Sequence, residues 1–171
     1  SEKFRIRTYN CDLSGIKLEL KKKERGKVQK ISCPLTQEQC FMLINNQVLP
    51  DNPEYPAVLQ KLCLLMKTKL LRPVIIVQYN RTPFVGVEGN VRVTFDRNIE
   101  SSDNVDSFMM NDIQTRPIMP FYQHILEVKW DEFIPDYIHR VLNLENLQQT
   151  AFSKFYLSRK FSLKGEVLSY D

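Results

Sequence analysis

The sequence predicts an α+β domain built on a largely antiparallel sheet, and three observations predict it. Apolar and charged residues alternate with period two between Phe4 and Ser32, and strand-like runs return between Pro73 and Trp130. Apolar residues recur at helical steps in the intervening segment and near the end of the chain. No internal repeat or linker divides the sequence, so one domain over residues 1–171 is expected.

Phe4 to Asn10, Ile16 to Lys23 and Lys27 to Ser32 read as three strands, with turns at Asp12-Leu-Ser-Gly15 and Glu24-Arg-Gly26. A helix over about 37–46 starts at Thr36, an N-cap whose capping box is closed by Gln39 and whose staple joins Leu35 to Cys40. Tyr55, Val58, Leu59, Leu62, Leu65, Met66 and Leu70 give a second, packing helix from Pro56 to about Leu70, with proline suited to its first turn. Pro73 to Arg81 and Asn90 to Arg97 form a hairpin, with turn-like residues at Thr82-Pro83 and Glu88-Gly89-Asn90. Glu100 to Asn111 reads as a loop and His124 to Trp130 as a sixth strand. Pro135 opens a short helix carrying Tyr137, Ile138, Val141 and Leu142 on one face, and a last helix begins near Ser153.

The composition, 43% hydrophobic and 26% charged, is that of a soluble globular chain, and no apolar run approaches the roughly 20 residues of a membrane span. The net charge of +4 permits an anionic partner without demanding one. Cysteines 11, 33, 40 and 63 include no C-x-x-C pair, and only His124 and His139 could join them, so reduced structural thiols are expected rather than zinc. Nothing marks the chain for secretion, which fits a cytoplasmic setting.

Chemistry is concentrated on the strand faces. Arg5, Arg7 and Tyr9 share one face opposite Phe4 and Ile6; Lys17, Glu19, Lys21 and Lys23 oppose Ile16, Leu18 and Leu20; Lys30 sits between Gln29 and Ile31. Arg92, Thr94 and Asp96 oppose Val91, Val93 and Phe95, while Glu127 and Lys129 oppose Leu126, Val128 and Trp130. Arg5, Arg7, Lys17, Lys21, Lys30, Arg81, Arg92 and Lys129 stand against Glu19, Asp96 and Glu127, eight cations to three carboxylates. Such faces can simply meet water. Same-sign neighbours at i and i+2 repel, however, and make sense where an anion lies among them. Were the sheet curled into a barrel with these faces inward, dry burial would cost several kcal/mol per ion, so the interior would hold water, metal and a polyanion such as polyphosphate. Arginine forks and lysine point charges suit phosphate, and Glu127 and Glu19 become candidate ligands for a divalent metal.

Arg5-Ile-Arg7-Thr-Tyr9, Leu18-Glu-Leu-Lys21, Arg92-Val-Thr-Phe-Asp-Arg97, Leu126-Glu-Val-Lys129 and Phe152-Ser-Lys-Phe155 occur in this order and together resemble the VTC catalytic domain, the polyphosphate polymerase domain. The resemblance implies a triphosphate tunnel metalloenzyme: an antiparallel barrel with a charged interior and packing helices that binds ATP or polyphosphate with Mn²⁺ or Mg²⁺. It implies transfer of the γ-phosphoryl group of ATP to a growing polyphosphate chain. By this resemblance Arg5 and Arg7 are the paired arginines on phosphate, and Lys21 and Lys30 are tunnel lysines. Tyr79 and Arg81 lie on the phosphate and nucleotide path, with Arg92 beyond them. Glu127 is the metal-binding glutamate, and Ser153 and Lys154 are the terminal Ser-Lys pair on phosphate. Lys17 and Lys129 extend the cationic lining, and Glu19 is a second metal candidate. The family carries an earlier strand with a Glu-x-Lys motif that nothing before Arg5 supplies, so the tunnel is expected to be incomplete at its N-terminal end. Eukaryotic members are joined to further domains and a membrane, whereas this sequence fits a soluble bacterial-type member.

Three other readings remain open at this point. A triphosphatase or nucleoside triphosphatase differs only in using water as the attacking group. A sensor of polyphosphate or inositol phosphate would keep the cations and dispense with Glu127. A nucleic-acid-binding barrel needs exposed aromatics to stack on bases, whereas Phe4, Phe95 and Trp130 read as core and leave only Tyr9 and Tyr79, so no nucleic-acid partner is expected.

Overall fold

Alternation at the start of the chain is realised as β1 (Glu2–Tyr9), β2 (Asp12–Glu24) and β3 (Lys27–Pro34), an antiparallel sheet in the order β1-β2-β3. The structure is a computed structural model and describes residues 2–24, 27–131, 133–142 and 150–165. Its chain divides into two units, Ser1–Val74 with Asn104–Ile113, and Ile75–Asp103 with Gln114–Asp171.

In the first unit Ile16, Leu18 and Leu20 on β2 are almost fully buried, and the core they open is completed by α1 (Gln37–Ile44) and α2 (Ala57–Lys69) through Leu43, Leu59, Leu62 and Met66. Burying each such side chain contributes about 1.5–3 kcal/mol, so the apolar alternate of the strands dictates which face meets the helices. The capping box forms as expected: the Thr36 hydroxyl accepts from Gln39 N at 3.1 Å and Gln39 Oε1 accepts from Thr36 N at 3.0 Å. Leu35 and Cys40 are both buried. Leu70 departs from its expected packing role; it ends α2 in the left-handed conformation (φ 52) and is 82% exposed.

The β1–β2 turn is displaced from the expected Asp12–Gly15. Asn10 and Cys11, both at positive φ (52 and 56), form a two-residue connection closed by the Tyr9↔Asp12 pair, as the right-handed twist of a hairpin favours. Asp12 to Gly15 instead belong to an irregularity of the ladder, where β1 advances two residues and β2 five between the pairs Arg7↔Lys17 and Tyr9↔Asp12. The expected turn at Glu24-Arg-Gly26 falls on residues 25 and 26, outside the described residues.

The second unit is a sheet centred on β5 (Arg92–Ser102). β4 (Ile76–Val85) lies along one side, and β6 (Arg116–Pro117) and β7 (Ile125–Lys129) pair with opposite ends of the other. Thr82 and Pro83 do not turn; they continue β4, an edge strand where proline's missing N–H is tolerated. The reversal comes at Gly89 (φ 67), where a Cβ would collide with the Phe133 carbonyl. β5 runs on through Ser102 into the region expected to be loop, and Val105–Met109 is a 3₁₀ turn. α3 (Asp136–Leu142) and α4 (Lys154–Gly165) form where Pro135 and Ser153 predict them.

The antiparallel α+β expectation therefore holds, as two sheets. Among the described residues no strand pairing closes a barrel. Phe95 and Trp130, expected in the core, are 37% and 49% exposed, because α4 docks through Lys154 on the charged face of β5 and not on its apolar one. Phe4 is partly buried against the first core.

Candidate functional site

In the first unit the helices take the apolar face of the sheet, so the charged alternate is left outward. Glu19 is its carboxylate hub. It accepts from Arg5 Nε at 3.0 Å and also from Arg5 Nη2, while Arg7 Nη1 reaches its other oxygen at 3.3 Å. Burial pushes the Glu19 carboxyl up, but the two guanidiniums outweigh it and hold it below the usual range. Arg7 also stands 4.9 Å over the Tyr9 ring.

Around this hub the register opposes like charges. Lys21 pairs with Lys3 on one side and Lys30 on the other, and Lys17 pairs with Arg7. Directly opposed like charges are destabilising, so this face is suited to an anion. Lys3 was missed from sequence, although it continues the i, i+2 row of Arg5 and Arg7.

In the second unit the charged face is the more buried one. Thr94 is 4% exposed and Asp96 is 0% exposed, because α4 lies against β4 and β5 there. Arg81 on β4 grips Asp96 with both arms of its fork, Nε to Oδ1 at 2.7 Å and Nη2 to Oδ2 at 2.8 Å. Lys154, the first residue of α4, reaches the same Oδ2 at 2.5 Å. Burial raises the Asp96 carboxyl, and the two cations more than offset this, holding it below its usual range; Asp96 in turn raises the Arg81 pKa. Arg81 Nη2 leans across β5 to Glu127 at 3.6 Å, and Lys129 holds the other Glu127 oxygen at 2.8 Å.

Tyr79 underlies both cations, with Lys154 Nζ at 4.8 Å and the Arg81 guanidinium at 5.3 Å from its ring centre. Arg92 lies opposite Lys129, a further like-charge pair. The Ser153 hydroxyl accepts from Tyr156 N at 3.3 Å, so it caps α4 beside the cluster. The hydroxyls of Thr94 and Ser158 are buried and have no hydrogen-bond partner among the described residues.

Thus the structure gathers Arg5, Arg7, Lys17, Glu19, Lys21 and Lys30 on one sheet face, and Tyr79, Arg81, Arg92, Glu127, Lys129, Ser153 and Lys154 on the other unit's face. The residue sequence reasoning missed in the second is Asp96, counted there only as a carboxylate diluting the positive charge. Its signal was its place two residues from Thr94 and four from Arg92.

Among the described residues no group of three or more His, Cys, Asp or Glu side chains could hold a metal ion. Mg²⁺, however, needs only one or two carboxylates when substrate phosphates complete its shell. Glu127 fits that part: its side chain is 38% exposed, and its oxygens face Lys129 Nζ at 2.8 Å and Arg81 Nη2 at a longer 3.6 Å. Glu19 fits less well, since both its oxygens accept hydrogen bonds from arginines, whereas Arg81 stands off Glu127 at 3.6 Å.

Each of the two antiparallel sheets carries one strongly cationic face that includes an arginine-held carboxylate. The VTC domain family model matches residues 1–163, and the chain belongs to that family. Membership ties it to polyphosphate-related function. No curated protein and no solved structure matches the chain. Among the described residues no helix is long and apolar enough to cross a membrane.

Proposed function

We propose that the chain is a metal-dependent ATP:polyphosphate phosphotransferase that works in the cytoplasm. A terminal oxygen of the polyphosphate chain attacks the γ-phosphorus of ATP, the bond from that phosphorus to the β-phosphate oxygen breaks, and ADP leaves. The supporting observation is the opposition of like charges in register, Lys3–Lys21–Lys30, Arg7–Lys17 and Arg92–Lys129. Such ladders repel in the bare protein and are relieved by a chain of closely spaced negative charges.

Phosphoryl transfer asks little covalent chemistry of the protein; it asks for positioning and neutralisation of the equatorial oxygens. Arg81 and Lys154 supply charge from a site where neither is fully solvated, with side chains 29% and 20% exposed. Arg5, Arg7, Lys17, Lys21 and Lys30 supply a face for polyphosphate, and Tyr79, Arg92, Lys129 and Ser153 line the second. Glu127 would hold Mn²⁺ or Mg²⁺, with Glu19 as the second candidate, and the metal would supply positive charge that offsets the negative charge of the phosphates.

Incubation of the protein with ATP and Mn²⁺, followed by separation of products by phosphate chain length, tests this directly. A ladder of long chains with ADP is expected. Orthophosphate and ADP with no longer chains would make the protein a nucleoside triphosphatase, and triphosphate binding without turnover would make it a binding module. Because Glu127 offers a single carboxylate, Mn²⁺ should bind only when triphosphate is present; calorimetry showing tight Mn²⁺ binding to the protein alone would remove Glu127 from that role.

A further inference from the structure

Resting on the phosphotransferase reading, we propose that Asp96 is a positioning residue that fixes two phosphate-facing cations, Arg81 from β4 and Lys154 from α4, in one geometry before substrate arrives. Asp96 is fully buried and both its oxygens are occupied, so it has no exposed edge with which to meet substrate. The fork on Arg81 fixes the plane of the guanidinium as well as its position. Lys154, whose ammonium would otherwise swing on a flexible stem, is pinned between Asp96 and the Tyr79 ring.

Affinity alone does not account for this arrangement. A carboxylate under two cations subtracts positive charge from a face that binds polyanions. A buried ion pair is also weak evidence for stability, since apolar residues of similar volume often do as well. What the carboxylate supplies is placement, and the chemistry of phosphoryl transfer depends on placement to within about 1 Å.

The consequence is a split between binding and turnover. Asp96→Asn keeps the shape, removes the negative charge and loosens both cations. Tripolyphosphate should bind the variant as tightly as the wild type or more tightly, read by calorimetry, with KM unchanged or lowered. The turnover number should fall about tenfold or more, as expected of misplaced reacting groups. A merely structural defect would instead lower the fraction of protein able to bind, whatever the change in melting temperature.

Where Asp96→Asn does not fold, Arg81→Lys carries the test, since it keeps the charge and loses the fork. It should bind triphosphate within about twofold of wild type and lose about tenfold or more in turnover. Binding and turnover that fall together, or that both stay unchanged, overturn the inference while wild-type turnover leaves the transferase reading standing. A wild type that binds triphosphate without turnover overturns that reading and this inference with it.

Discussion

Arg7 and Arg5 meet on Glu19, yet they differ in surroundings: the Arg7 side chain is 19% exposed and that of Arg5 is 56% exposed. A charge-assisted contact contributes about 1.5–3 kcal/mol, and it is screened less where water is scarcer. Arg7→Ala should therefore weaken triphosphate binding by about 10- to 100-fold and Arg5→Ala by less, both with folding retained; equal losses by calorimetry would refute the ranking. Acid sensitivity is also set by single residues. Burial raises the carboxyls of Asp96 and Glu19, but their cations hold them below the ordinary range, so their stabilisation is complete above the unfolded pKa and disappears as pH falls through the folded one. The melting temperature should thus be level above about pH 5 and drop as pH falls further, with a shallower drop in Asp96→Asn; identical profiles would assign the loss to other carboxylates. The odd-numbered cations of β1 and β2 were legible in the sequence because a two-residue period needs no tertiary information. Asp96 was not, since its role depends on a helix that begins 58 residues later and on which face that helix chooses.

At the scale of the element, α2 shows what is readable and what is not. Val58, Leu59, Leu62 and Met66 were placed by spacing alone and are buried. The end of the helix is decided by backbone geometry, with Leu70 at φ 52 and its side chain in water. Glycine adopts that conformation without penalty, so Leu70→Gly should stabilise the protein by about 0.5–1 kcal/mol, seen as a higher denaturation midpoint at unchanged m-value. A lower midpoint would mean that the Leu70 side chain contributes packing that its exposure does not suggest. The hairpin turns were misread for a related reason. Asp12-Leu-Ser-Gly15 is richer in turn formers than Asn10-Cys11, but strand twist selects a two-residue connection with both φ values positive. In β4–β5 the phase also changes: β4 advances two residues and β5 three between Gln78↔Glu100 and Asn80↔Arg97, with Asn98 at φ 50. The buried positions of β5 accordingly shift from Thr94 and Asp96 to Ile99 and Ser101, which simple alternation does not anticipate.

For the whole molecule, the +4 net charge understates what a ligand meets, because the cations are gathered on two sheet faces. Binding driven by those faces is screened by salt, with a Debye length of about 10 Å at 0.1 M and about 3 Å at 1 M. Triphosphate affinity should therefore fall steeply between low and high NaCl, while thermal stability without ligand should hold or rise as the like-charge ladders are screened. Salt-independent affinity would point to a neutral recognition mode. That the chain is α+β and antiparallel was legible because alternation and capping are local signals. Its organisation as two sheets was not, because alternation marks where strands lie but not which of them pair. The triad of Arg81, Asp96 and Lys154 has a consequence for inheritance. Three positions on three separate elements share one carboxylate, so a change at any one strands the other two. In descendants of this sequence they should be kept or lost as a set, and a lineage that has given up phosphate chemistry should show it first at position 96, where no solvent is available to excuse an unpaired charge.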